Sequence, residues 1–386
     1  VLFGVGHVLG VIAAKPEPTD ARKELSVTMK SASSPKGGPK PAAGSREEFA
    51  PVVPIILDIS PQLSDDLDYD SLNEELSGLR RALYFDLGVP FPGINLRPNH
   101  QLTGLEYALV INEIPLSRGQ LQTGQVLVRE SPDNLRVLNI DSTTGRDFLP
   151  GVTSVWVKSA DIPALDRAAV KYLDHPRIIS YHLSLVLVRH ASIFMGLQEA
   201  KYLLDKMEER APDLVREISR LLPTQKLAEI FQRLVQEQIS IRDLRSILEA
   251  LIEWTPKEKD VIMLVEYVRG ALKRQISYMH SSGLNLLPVI LLDPQVEEVI
   301  RKSIRQTSSG AFLALAPDAA KAINANVGAV FKKYQGQPTR PVLLASLDIR
   351  RYVRRLLESD FYELPVVSFQ EITPEITVQP VERIKI

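Results

Sequence analysis

The sequence predicts a multidomain α+β chain. A first αβ domain carries a small inserted β-rich domain, and a helical bundle and a C-terminal α/β domain follow. Three observations carry this reading. The chain has 386 residues, enough for two to four domains at roughly 100–200 residues each. Apolar residues make up 45% and charged residues 24%, ordinary values for a chain that buries a core. The hydrophobic period also changes along the chain: short strand-like runs give way to an unbroken helical pattern, then to strand alternating with helix.

The elements follow in order. Val1 to Ala14 (VLFGVGHVLGVIAA) are apolar apart from three glycines and His7. As a helix the run covers about 21 Å, short of a ~30 Å hydrocarbon core. It is expected to be the end of a longer transmembrane helix, with a signal-peptide remnant ending near Ala13–Ala14 as the alternative. Gly4, Gly6 and Gly10 make no dinucleotide fingerprint, because Lys15-Pro16-Glu17-Pro18 follows where a helix would have to open. Residues 15–50 read as a flexible linker. Lys30 to Ser45 offers only alanines as apolar side chains, too little to offset an ordering entropy of roughly 1–2 kcal/mol per residue.

The first αβ subdomain is placed at 51–117 with 166–190. Val52 to Ile59 has strand length. Ser71 and Glu74 fit a capping box, Leu72, Leu76, Leu79 and Leu83 repeat at helical spacing, and Gly88 supplies a stop. Ile94–Arg97 and Leu105–Ile114 read as strands. An inserted β-rich subdomain is placed at 118–165, with strands expected at Gln125–Arg129, Leu135–Ile140 and Ser154–Lys158. Residues 191–278 read as helical throughout. Leu227, Ile230, Phe231, Leu234 and Val235 form a wide core-facing stripe. Helices are expected to open at Ser240-Ile241-Arg242-Asp243 and at Thr255-Pro256-Lys257-Glu258, and short connections imply an antiparallel bundle. In the C-terminal subdomain, 279–371, strands at Leu286–Leu292, Pro341–Ser346 and Leu364–Phe369 alternate with helices after Asp293-Pro294, at Asp318–Tyr334 and at Asp348–Glu358. That spacing indicates a largely parallel α/β layer. Residues 372–386 are left as a tail.

Composition excludes several functions. Lysine and arginine number 46 against 47 acidic residues, a net charge of −1, so no global field holds nucleic acid. There is no cysteine, hence no disulfide, thiolate catalysis or zinc–sulfur site. The six histidines form no His-x-x-x-His pair, so no metal and no cofactor are expected. The chain contains no P-loop, no Gly-x-Ser-x-Gly and no His-Glu-x-x-His, and no catalytic residue is assigned. Asp65, Asp66, Asp68 and Asp70 lack the central glycine and closing glutamate of a calcium loop. Arg350, Arg351, Arg354 and Arg355 form two i, i+4 pairs on one helix. They read as a solvated face, with a seat for phosphate or an acidic partner as the sharper alternative.

Four stretches carry a resemblance. Leu234-Val-Gln-Glu-Gln-Ile-Ser-Ile-Arg-Asp-Leu-Arg-Ser-Ile-Leu-Glu249, Tyr267-Val-Arg-Gly-Ala-Leu-Lys-Arg274, Val342-Leu-Leu-Ala-Ser-Leu-Asp-Ile-Arg350 and Leu364-Pro-Val-Val-Ser-Phe-Gln-Glu371 resemble, in order, segments of the large export-gate protein of type III secretion. That family includes FlhA and SctV. The resemblance covers about residues 51–371. It implies a cytoplasmic domain of four subdomains that follows a membrane half and faces the cytoplasm from the bacterial inner membrane. It also implies a non-enzymatic nonameric ring that receives export chaperone–substrate complexes and meets the ATPase stalk and a gatekeeper.

The family's partner cleft uses Asp-Pro-x-aromatic-Gly ahead of a tryptophan. Here the matching positions are Asp147-Phe148-Leu149-Pro150-Gly151 with Trp156, so the proline and aromatic are displaced. A second family element, Thr-His-Leu, is similar to Tyr181-His182-Leu183. Asp147, Phe148, Gly151 and Tyr181 are therefore the expected partner-binding residues. Trp156 is read as core and His182 as a hydrogen-bonded structural histidine. Core packing is the alternative for Phe148. The helical segment is expected to supply most of the ring contact, with Arg242 and Asp243 at an exposed capping turn; a purely local cap is the alternative. The competing function is a small-ligand binder or enzyme using the C-terminal domain, which lacks a Gly-rich loop at Leu292-Asp293-Pro294 and at Ala345-Ser346-Leu347.

Overall fold

The computed structural model describes residues 51–149, 152–281, 283–307, 310–334 and 340–386. The expectations for 1–14, for 15–50 and for Gly151 lie outside them. The described residues divide into two compact units, one of 51–78 with 92–183, the other of 79–91 with 184–386. Among them, no helix is long and apolar enough to cross a membrane.

In the first unit, β1 (Ile55–Ile59) is buried along its whole length, and its one charged residue, Asp58, accepts from Arg97 and Asn99. Ser60 caps a short helix α1 (Pro61–Asp66) by accepting from the Leu63 amide at 3.1 Å. Helix α2 (Tyr69–Leu87), whose residues from Leu79 onward fall in the second unit, begins two residues before the expected Ser71, because the Asp68 carboxylate accepts from the amides of Asp70 and Ser71 and takes the capping role. Its leucines at 72, 76, 79 and 83 are all buried.

Strands β2 (Asn95–Pro98), β3 (Glu106–Ile111) and β4 (Ile114–Gln120) complete a sheet in the order β2-β1-β3-β4. Leu105–Ile114 is thus not one strand. Asn112 and Glu113 adopt φ of 48° and 65°, the left-handed pair of a two-residue hairpin.

A second, antiparallel sheet, β6-β7-β5-β8, takes β5 (Gln125–Val128), β6 (Ser142–Thr144), β7 (Val155–Lys158) and β8 (Tyr172–Leu173). Its chain therefore runs past the expected limit of 165, since β8 pairs with β5. The strand expected at Leu135–Ile140 is instead the end of helix α3 (Pro132–Val137) and the turn after it. Ser131 caps that helix by accepting from the Asn134 amide, and Pro132 holds its first position, a start signal that outweighs the four apolar residues of the run. Leu135 and Ile140 still reach the sheet's core with Val126, Val128, Val155, Val157 and Leu165. Helices α4 (Ile162–Arg167) and α5 (His175–Arg189) follow.

The second unit opens as a bundle: α6 (Leu197–Glu208), α7 (Pro212–Leu221), α8 (Thr224–Gln236), α9 (Leu244–Trp254), α10 (Val261–Ala271) and α11 (Lys273–Ser281). Helix α8 packs on α6 and α10 through the predicted stripe, and α9 packs on α7 and α10. Two helix starts move. Asp243, not Ser240, caps α9, and Asp260, not Thr255, caps α10. In both places a carboxylate closer to the apolar stripe wins the orphan amides.

The C-terminal layer is a parallel sheet in the order β13-β12-β9-β14, built from β9 (Leu286–Leu292), β12 (Val342–Ala345), β13 (Val366–Ser368) and β14 (Thr377–Ile384). Helices α12 (Pro294–Lys302), α13 (Pro317–Lys333) and α14 (Leu347–Leu357) share its core. Residues 372–386 are therefore not a tail, for β14 pairs with β9 over Thr377–Ile384 and Ile384 is buried. Pro380 is tolerated because β14 is an edge strand whose register shifts at that point. A hairpin of β10 (Ile304–Thr307) and β11 (Gly310–Leu313) lies between α12 and α13.

Candidate functional site

The first unit brings the two resembling segments together around one ring. Tyr107 on β3 is fully buried, and its side chain crosses the neighbouring strand at Gly119, its register partner. A Cβ at Gly119 would meet the Tyr107 ring at 2.3 Å, so only glycine leaves that path open. The Tyr107 hydroxyl lies 2.9 Å from His182 Nδ1, and Ser117 Oγ lies 2.8 Å from His182 Nε2. Both ring nitrogens of this buried histidine on α5 are thereby occupied. Burial lowers its pKa to about 4, so the imidazole is neutral at physiological pH.

Phe148 packs on this relay. Its ring centroid is 5.8 Å from His182, 6.5 Å and edge-on from Tyr107, and 6.4 Å from Trp156 in a stacked arrangement. Trp156 is 1% exposed, as expected of a core residue. Phe148 is half-buried, so this side of the cluster is not fully closed to solvent. The loop that carries it is closed by Asp147, whose carboxylate accepts from the Ser154 amide at 2.7 Å. Gly145, one turn earlier, sits so close to Trp156 that a Cβ would lie 2.7 Å from its indole nitrogen.

Tyr181 is 3% exposed, so a partner cannot rest on its ring. What reaches the surface beside it is Arg129, which donates from Nη2 to the Tyr181 hydroxyl at 2.7 Å with Cζ 4.9 Å from the ring centroid. Asp147, Phe148 and His182 thus share one neighbourhood. Arg129, Tyr107 and Ser117 were missed by sequence reasoning. Tyr107 reads as one more apolar residue of a strand, and the only signal for its role is the glycine opposite it.

In the second unit, Arg242 and Asp243 are both exposed. Asp243 spends its carboxylate on the Ser246 amide at 3.2 Å. Arg242 donates from Nη1 to the Phe85 carbonyl at 3.0 Å, and its guanidinium lies over the Phe85 ring at 4.9 Å. It therefore neutralises the C-terminal end of α2 and displays an aromatic that is 56% exposed. Gly88, at φ 79°, lets the 241–242 backbone approach, since a Cβ there would meet the Arg242 amide at 2.9 Å.

Only part of the arginine array on α14 is a solvated face, since Arg355 is exposed and Arg351 half-buried. Arg350 is fully buried and Arg354 nearly so. Arg350 bonds both Glu237 and Glu266, and Arg269 bonds Glu371 and Glu237. Burial raises the Glu237 pKa, but Arg350 and Arg269 outweigh it and hold the carboxyl at about 2. At the strand ends of the parallel sheet, Asp293 caps α12 and the Ser346 hydroxyl donates to Glu297 at 2.7 Å. Structural bonds thus consume the polar groups that a ligand would use there.

The sequence profile of the FHIPEP family matches residues 1–377. Low calcium response locus protein D of Yersinia pestis is 44% identical over 348 residues, 90% of this chain and 49% of that protein. The chain thus spans about half the length of that relative. Among solved structures, the Chlamydia pneumoniae CdsV protein in complex with CdsO is 41% identical, with a TM-score of 0.83, covering 88% of this chain and 99% of that one. The nonameric EscV cytosolic domain from the type III secretion system, determined by cryo-EM, is 29% identical, with a TM-score of 0.69 over 88% and 99% of the two chains.

Proposed function

Because the chain belongs to the FHIPEP family, we propose that it is the cytoplasmic part of a type III secretion export gate. In this reading nine copies form a ring below the bacterial inner membrane and receive chaperone–substrate complexes for export. The nonameric assembly of the EscV cytosolic domain supports the ring. The CdsV–CdsO complex supports a second secretion-system protein as partner. The ATPase stalk and gatekeeper belong to the same proposal, as does attachment to the membrane.

The observation that carries cargo docking is the convergence of Phe148 and His182, distant in sequence, into one aromatic cluster in which Phe148 is only half-buried. A gate that handles many cargoes needs a shallow apolar contact with a polar rim, and Asp147, next to Phe148 in the chain, is exposed. Such a site gives micromolar binding, about −8 kcal/mol. Phe148→Ala removes the anchor and costs about 1–2 kcal/mol of affinity. Calorimetric titration of wild type and variant with a cognate chaperone–substrate complex tests this, with thermal melts alongside. Equal affinities would move the site elsewhere.

A further inference from the structure

In the first unit, the inserted sheet is entered through residues 121–124, between β4 and β5, and left through Asp174, between β8 and α5. One side chain ties the two crossings together. His175, the first residue of α5, has a side chain only 14% exposed. Its Nε2 lies 3.0 Å from the Gln122 carbonyl on the outgoing crossing. Its Nδ1 lies 3.5 Å from the carboxylate of Asp66, the last residue of α1. The Gln122 carbonyl also accepts from the Gln125 amide at 3.3 Å, which closes the turn into β5. His175 thus joins both crossings of the insert to α1.

The same turn leads to Phe148. The point where a Gly145 Cβ would sit is 3.0 Å from Gln122 Nε2 and 2.7 Å from Trp156 Nε1. Glutamine amide and indole therefore press on one glycine, and the indole stacks on Phe148. Two acceptors face the two nitrogens of His175. A neutral imidazole has one N–H and one lone pair, so it donates to one acceptor only, whereas the doubly protonated ring donates to both. Of the charged groups nearby, Glu75 on α2 and Asp174 beside the ring in the chain are both turned to Arg177, and Asp174 also accepts from the Arg177 amide. Asp66 is the ion-pair partner left to the ring, while the N-terminal end of α5 opposes the cation that Asp66 favours.

We propose that His175 is a positioning residue for Phe148: its doubly protonated ring clasps the neck of the inserted sheet, holds the Phe148 loop in place and so tightens cargo docking as pH falls. Loss of the proton opens the link to Asp66 and leaves the Gln122 bond alone. The proposal rests on the reading of Phe148 as the cargo contact.

The test follows the full chain, with para-fluorophenylalanine at position 148, by fluorine NMR from about pH 8 to about pH 6, where an ordinary histidine gains its proton. His182, whose pKa burial lowers to about 4, keeps its neutral form there. The resonance is expected to shift in wild type and to stay constant in Asp66→Asn and in His175→Gln, which keeps a donor for the Gln122 carbonyl. Calorimetry with the chaperone–substrate complex is expected to show affinity rising about fivefold more in wild type than in either variant. Asp66→Asn should melt as wild type does at about pH 8, where the link is open. A resonance that ignores pH, or moves alike in all three chains, overturns the proposal whatever the cargo does. So does an affinity that rises equally in all three while Phe148→Ala still weakens binding. If Phe148→Ala binds as wild type does, the cargo reading fails instead, and the resonance alone decides the clasp.

Discussion

His182 illustrates how a single buried side chain couples packing to pH. Its pKa is about 4 in the folded protein against about 6.5 when unfolded. The unfolded chain therefore binds the proton first as pH falls. The stability held by the neutral ring is fully present above pH 6.5 and is lost as pH falls from 6.5 to about 4, by as much as about 3 kcal/mol. His280, lowered to about 3 mainly by burial, acts with the same sign. The readout is therefore the difference between wild type and His182→Gln in urea titrations across that range. A parallel slope in the variant would show that His182 does not carry it. The same ring was legible in sequence as a structural histidine, whereas its partners Tyr107 and Ser117 were not, because nothing local to either residue names a neighbour on another element.

Elements were legible where one signal acted alone and were misread where two competed. Helix α8 follows its stripe, since six apolar side chains on one face leave no other period. The Leu135–Ile140 run looked like a strand, yet the Ser131-Pro132 start fixes it as helix. Strand β14 was missed because Pro380 and spaced charges dilute its pattern. What makes it a strand is the free edge of β9, which lies almost a hundred residues away in sequence. Ile384 belongs to the same core cluster as Val296, Ile323 and Val353. Ile384→Ala is therefore expected to cost about 2–5 kcal/mol in chemical denaturation. A tail residue would stay within about 0.5 kcal/mol, and a loss that small would remove β14 from the fold's core.

At the scale of the molecule, the ion-pair network of the second unit joins the bundle to the parallel sheet. Arg350 reaches Glu237 after α8, Glu266 on α10 and the Val366 carbonyl on β13. Deleting one member leaves buried charge unpaired. Arg350→Met is expected to lose about 3–5 kcal/mol, read as a lower denaturation midpoint. A midpoint within error of wild type would mean that the carboxylates find other partners. Assembly belongs to the same scale. If Arg242 meets an acidic residue of the next subunit, Arg242→Glu weakens the ring in light scattering at matched concentration while the monomer stays folded. Unchanged assembly would leave Arg242 as the cap of α2, the role its bond to Phe85 already gives it.

The sequence by itself determined what depends on neighbours within a few residues: the helical period of 191–278, the strand runs around Leu57, Leu109 and Leu291, and the order of segments that carries the family resemblance. Tertiary structure decided what depends on distant partners. It alone buries Arg350 and Arg354 while leaving Arg355 free, and it alone sets Phe148 against His182. It also converts the last residues into a strand. The physical reason is common to all three. A local pattern records only which face of an element is apolar, whereas the fate of a charge, a half-buried ring or an edge strand is set by what another part of the chain places against it.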